Sequence, residues 1–171
     1  MGNSTSSDKR VSDINAESAR PRVIVAEDEA LIRLDLVELL EDQGYEVVAQ
    51  ASDGEEAVSL ARELEPDLVV MDVKMPKMDG ITAADKIAEE RICAVVMLTA
   101  FSQRDLIERA KEAGAMAYVV KPFDVSDVVP AIEIALARFQ EIRAVEDEIA
   151  DLEERLESRK LVDQALSLIH I

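Results

Sequence analysis

The sequence predicts an α/β fold built on a parallel sheet, on the strength of three observations. Short β-branched apolar runs alternate five times with longer segments whose apolar residues recur at helical spacing, the pattern of successive βαβ units. Four of these runs end in a polar, reactive side chain. Glu27-Asp28 follows Val23-Ile24-Val25-Ala26, Asp72 follows Leu68-Val69-Val70-Met71, Thr99 follows Val95-Val96-Met97-Leu98, and Lys121 follows Tyr118-Val119-Val120. In a parallel sheet, ligands and chemistry collect outside the carboxyl ends of the strands, so these groups should converge. Finally, 49% of residues are hydrophobic but only 3% aromatic, which implies an aliphatic core.

The elements follow in order. Strand one is Val23 to Ala26. The first helix carries Ile32, Leu36, Leu39 and Leu40 on one face and stops at Gly44, a residue suited to the left-handed position after a helix. Strand two is Glu46 to Ala51. Helix two presents Ala57, Val58, Ala61 and Leu64 before Glu65-Pro66-Asp67 breaks it. Strand three delivers Asp72, and Met75-Pro76-Lys77-Met78-Asp79-Gly80 is a loop. Helix three runs from Gly80 to about Glu90, strand four from Ala94 to Thr99, helix four from Gln103 to Ala113, and strand five from Ala117 to Val120. Val125 to about Lys160 lacks Gly, and its one Pro, Pro130, lies near the start, so a single long helix is expected. Within it, Ile142, Val145, Ile149, Leu152 and Leu156 follow a 3-4-3-4 spacing with Glu146, Glu148, Glu153 and Glu154 off the seam. That spacing suits a short coiled coil or one amphipathic helix packed on its own domain.

The 171 residues suit one domain plus an appendage, at about 150 residues per domain. Residues 1–20 read as a polar, Ser-rich leader; Met1-Gly2-Asn3-Ser4-Thr5-Ser6 also fits the loose myristoylation pattern. With 19 Lys and Arg against 37 Asp and Glu, the net charge is −18, which opposes nonspecific contact with phosphate backbones. The single cysteine, Cys93, precludes an internal disulfide and reads as a buried thiol. No apolar run approaches the roughly 20 residues that span a bilayer, so a soluble, cytoplasmic protein without a membrane partner is expected.

Three carboxylates in one crevice repel one another and resist desolvation unless a cation neutralises them. Oxygen ligands favour a hard ion, and Mg²⁺ accepts one or two carboxylates, keeps several waters and takes phosphate oxygens. With phosphate present, Lys121 balances charge and Thr99 adds a hydroxyl hydrogen bond. An aspartate can itself accept a phosphoryl group as an acyl phosphate, and Asp72 is assigned that role, with Mg²⁺ and Lys121 neutralising the transferring group.

On these residues the chain resembles the receiver domain of bacterial two-component response regulators across residues 22 to about 139. The family's acidic pair falls on Glu27-Asp28, its phosphoacceptor on Asp72 within Met71-Asp72-Val73-Lys74-Met75-Pro76, and its loop Pro and Gly on Pro76 and Gly80. Its hydroxyl residue falls on Thr99, before Ala100, and its Lys-Pro, cis in the family, on Lys121-Pro122. The resemblance implies a flavodoxin-like (βα)5 doubly wound sheet in the order 2-1-3-4-5, with a long C-terminal helix. It implies that Asp28, Asp72 and the backbone carbonyl of Lys74 hold Mg²⁺, with Glu27 reaching it through water. It makes a histidine kinase the phosphate source, and Thr99 with Tyr118 a switch pair at corresponding ends of adjacent strands; an edge-strand core role for Tyr118 is the alternative. Lys74 and Phe101 flank the family's hydrolytic water path, and the bulk of Phe101 is expected to slow phosphate loss.

Leu152 to Ala165 resembles the opening of an ANTAR domain, a family that binds RNA and antiterminates transcription. The expected organisation is a leader to residue 20, a receiver over 21–139, a helical linker or coiled coil over 140–157, the start of a truncated ANTAR domain over 158–165, and a tail over 166–171. That tail, Leu166-Ser167-Leu168-Ile169-His170-Ile171, matches a translated sequencing adapter and reads as foreign. The expected function is a phosphorylation-switched regulator whose complete form binds RNA. The alternative is a receiver acting only through protein contacts, by the face of helix four, strand five and helix five or by the coiled coil, including as a homodimer. An aspartyl-phosphate phosphatase is disfavoured, because such enzymes place an acid two residues after the nucleophile and Lys74 stands there. No enzymatic activity beyond self-phosphotransfer and dephosphorylation is expected.

Overall fold

The computed structural model describes residues 20–100 and 105–169, with side-chain surroundings as far as residue 156. The leader to residue 19, Phe101, Gln103 and the last two residues lie outside the described residues. The elements are β1 (Arg22–Ala26), α1 (Ala30–Asp42), β2 (Glu46–Ala51), α2 (Gly54–Leu64), β3 (Leu68–Asp72), α3 (Gly80–Glu89), β4 (Ala94–Ala100), α4 (Leu106–Glu112), β5 (Ala117–Lys121) and α5 (Val125–Ile169). The strands form one parallel sheet in the order β2-β1-β3-β4-β5, so the expected flavodoxin-like (βα)5 fold is the fold observed.

Apolar content follows strand position. Every residue of β3 is buried, as are Ala94 to Thr99 of β4, because helices cover both faces of central parallel strands. β2, at an edge, buries only Ala51. Its pairing with β1 slips by one residue between Val23 and Ile24, so Val47 pairs with Val23 and Ala49 with Ile24.

Two of the helices, α2 and α3, start where a short acid caps them. Asp53 Oδ1 accepts the Glu56 N–H at 2.8 Å at the head of α2, and Asp79 Oδ1 accepts the Thr82 N–H at 2.7 Å at the head of α3, each occupying a donor the helix leaves free. Gly44, at φ +90°, turns the chain out of α1. The core face of α1 differs from expectation: Leu36, Val37 and Leu40 are buried, whereas Ile32 and Leu39 are only half-buried. The stripe is rotated so that Val37, adjacent to Leu36 in sequence, replaces Leu39.

Small boundary differences follow from pairing. β4 extends to Ala100 and β5 to Lys121 because these two residues pair. α5 continues past the expected end near Lys160, through Ile169. Cys93 is buried immediately before β4. The chain divides into two compact units, the first ending at Leu136 and the second beginning at Ala137. In the first, α5 contributes Val128, Ala131, Ile132 and Ala135 to the core. In the second, Ile142, Val145, Ile149, Leu152 and Leu156 are all exposed. No helix among the described residues is long and apolar enough to cross a membrane.

Candidate functional site

The carboxyl ends of β1, β3 and β5 bring Glu27, Asp28, Asp72 and Lys121 together. Lys121 Nζ lies 2.8 Å from Glu27 Oε2 and 3.0 Å from Asp72 Oδ2, donating to both. Carboxylate oxygens of Glu27, Asp28 and Asp72 lie within 4.8 Å of one another. Glu27 is fully buried, Asp72 is 7% exposed, and Asp28 faces solvent. Such a set offers oxygen donors of high negative charge with one solvent-facing member, and it fits a hard divalent cation.

Burial pushes the Glu27 carboxyl up to about 7, with Asp72 adding to the rise and the Lys121 bond only partly opposing it. For Lys121, burial disfavours the ammonium, but its bonds to Glu27 and Asp72 outweigh that cost and hold it above the usual lysine range. The ammonium therefore stays charged and screens two carboxylates from each other.

Backbone contacts hold the acidic turn. The Glu27 N–H donates to Ala51 O at 3.0 Å, the Glu29 N–H donates to Glu27 Oε1 at 3.2 Å, and Arg33 Nη1 donates to Glu27 O at 2.7 Å. The loop after Asp72, which contains exposed Lys74, is also tied: Gly80 N–H donates to Val73 O at 2.7 Å and Gly54 N–H to Met78 O at 3.1 Å. A Cβ at Gly54 would overlap the Met78 carbonyl oxygen, and one at Gly80 would overlap that of Asp72. Neither Arg33 nor Gly54 was legible as a site residue in the sequence. The one signal for Arg33 was its place in the first turn of the helix that follows the acidic pair.

Thr99 is buried, and its hydroxyl donates to Ala100 O at 3.3 Å. Tyr118 is 44% exposed, with Lys111 Nζ 5.9 Å from its ring centre. The expectation that Thr99 and Tyr118 sit at corresponding strand ends is corrected by the register. Thr99 pairs with Val120, whereas Tyr118 pairs with Met97 near the start of β5. The two are diagonal neighbours on one sheet face, because β5 begins opposite Val96, the third residue of β4, and Tyr118 is only its second residue. The Lys121-Pro122 peptide is cis.

The family model described as the response regulator receiver domain matches residues 23–133. The chain belongs to that family. Among similar proteins, the transcriptional regulatory protein PdtaR of Mycobacterium tuberculosis is 62% identical over 156 residues, covering 91% of this chain and 76% of that protein. The chemotaxis protein CheY of Bacillus subtilis is 39% identical over 116 residues, covering 67% of this chain and 97% of CheY. Among solved structures, the receiver domain of a modulated diguanylate cyclase from Desulfovibrio desulfuricans G20 superposes with a TM-score of 0.65 at 29% identity, covering 71% of this chain and 97% of that one. A chain of the CheX-CheY-BeF3-Mg complex of Borrelia burgdorferi gives 0.61 at 28% identity, covering 68% and 90%. The chain thus carries the receiver domain of a two-component response regulator, and its acidic cluster lies where the receiver strands end.

Proposed function

We propose that Asp72 accepts a phosphoryl group from a histidine kinase, with Asp28, Asp72 and the Lys74 carbonyl holding Mg²⁺ and Glu27 contacting it through water. The observation that carries this reading is the Lys121 ammonium 3.0 Å from Asp72 Oδ2, a fixed positive charge beside the proposed nucleophile. The solved Borrelia burgdorferi CheX-CheY complex with BeF3 and Mg supports the same ligand chemistry.

In the proposed step, one Asp72 oxygen bonds to phosphorus as the P–N bond of the kinase phosphohistidine breaks, its electron pair leaving on the imidazole. Bound Mg²⁺ would supply positive charge to the equatorial phosphoryl oxygens. Lys121 releases part of its hold on Asp72 to meet another of those oxygens, while its bond to Glu27 keeps it in place. The Thr99 hydroxyl turns from the Ala100 carbonyl toward the phosphoryl group, vacating space on the face it shares with Tyr118, whose ring then swings inward as the switch. Incubation with Mg²⁺ and acetyl phosphate should add one phosphoryl group to the intact mass, and Asp72→Asn should abolish the gain; an unchanged wild-type mass overturns the proposal.

The output proposed for the whole protein is RNA-binding antitermination, on the ANTAR-like residues from Leu152 and on the identity to a transcriptional regulatory protein. Phosphorylation would control self-association through the α4-β5-α5 face or a coiled coil on the seam. The exposed stripe from Ile142 to Leu156 favours a second reading, in which the output is protein contact alone. Retention of a transcript on the full-length regulator only when phosphorylated would support the first; phosphorylation-dependent association without RNA retention would support the second.

A further inference from the structure

Every polar group of the Glu27 main chain is held: the N–H by Ala51 O at 3.0 Å and the carbonyl by Arg33 Nη1 at 2.7 Å. The guanidinium is anchored a second time, its Nε donating to Gln50 Oε1 at 3.2 Å on β2. One half-buried side chain on α1 therefore ties the end of β1 to the end of β2, across the turn that presents Asp28. No carboxylate lies within ion-pair distance of this guanidinium among the described residues, so the cation is spent on a backbone carbonyl and an amide. The α1 N-terminus has no side-chain cap, Glu29 making none, so the turn depends on contacts of this kind.

We infer that Arg33 is a positioning residue for the acidic site. The peptide between Glu27 and Asp28 is planar, so a donor fixed on the Glu27 carbonyl fixes the plane from which the Asp28 side chain departs. Two anchors on a rigid fork restrict that plane more than one point charge would. Glu27 and Asp72 are already held by Lys121; the Asp28 side chain, exposed, has no hydrogen bond or ion pair among the described residues, so its backbone aims it. The inference rests on the metal reading proposed above.

The test is isothermal titration of the protein with Mg²⁺ alone, beside urea denaturation in EDTA. Groups that orient metal ligands typically change affinity by about 10- to 100-fold when removed. Arg33→Met, which keeps the aliphatic stem, should raise the Mg²⁺ Kd about tenfold. Arg33→Lys, able to reach the carbonyl but not to fork to Gln50, should fall between it and wild type. Gln50→Leu, which leaves the carbonyl bond in place, should raise the Kd about threefold. A folded Arg33→Met with a Kd within twofold of wild type overturns the inference, whatever its stability. Should that variant not fold, a wild-type Kd in both Arg33→Lys and Gln50→Leu overturns it. Wild-type protein that takes up no Mg²⁺ overturns the metal reading itself, a failure distinct from equal binding by wild type and variant.

Discussion

Gly80 lies so close to the backbone carbonyl of Asp72 that a β-carbon would overlap its oxygen. The Gly80 N–H also bonds Val73 O at 2.7 Å, so α3 begins pressed against the residue that ends β3. Backbone at this spacing can yield only by moving. Gly80→Ala should destabilise the fold by about 2 kcal/mol, as overpacking of a tight site does, and, on the proposed phosphoacceptor role of Asp72, should slow its labelling by acetyl phosphate more than equally destabilising substitutions elsewhere. Urea denaturation and intact-mass kinetics measure the two effects, and labelling at the wild-type rate would refute the second.

Lys121→Met should destabilise the protein by about 3 kcal/mol near pH 8, because it leaves fully buried Glu27 without its cation. Adding Glu27→Gln should recover at least half of that loss. If the double variant is no more stable than the single, unpaired charge is not the cause.

The α3 cap offers a smaller effect. Asp79→Ala removes the acceptor of the Thr82 N–H and should cost about 1 kcal/mol in urea denaturation, the usual worth of such a cap. At the head of α2, Asp53 also faces Lys77 Nζ at 3.6 Å. That lysine is exposed, so Lys77→Ala should leave stability nearly unchanged.

Burial pushes the Cys93 thiol up to about 12, from an ordinary value near 9. The folded state binds this proton more tightly than the unfolded chain, so the thiol's contribution is complete below pH 9 and declines as pH rises from 9 towards 12. Iodoacetamide at pH 8 should label Cys93 in urea and leave it unlabelled in buffer over the same interval. Equal labelling in both would contradict the placement.

How much of this was legible in the chain depended on the range of the interaction. The runs ending at Asp72 and Thr99 read correctly because a central parallel strand needs apolar side chains on both faces, a local constraint. The acids at Glu27 and Asp72 were placed together by the same logic. The Lys121 bond to Glu27 was not foreseen, because it spans 94 residues and pattern along the chain assigned the ammonium to phosphate instead. Val37 was missed in favour of Leu39 because periodicity gives the width of a helical stripe better than its rotation. Tyr118 was placed level with Thr99 because the run length of β5 does not encode its offset from β4. Arg33 reads in sequence as one more solvated helix residue; only the folded turn reveals a carbonyl within its reach.

The bond between Lys121 and Glu27 has a consequence for the growing polypeptide. Between β1 and β5 in the sheet stand β3 and β4, so this contact closes only when the last strand has docked. A nascent receiver that has emerged only as far as β4 would carry Glu27 and Asp72 side by side without their shared ammonium, and their mutual repulsion would work against burying either. Arrival of the final strand thus completes the sheet and quiets its charge in one event, so that a half-made receiver is poorly equipped to present a finished pocket to a kinase.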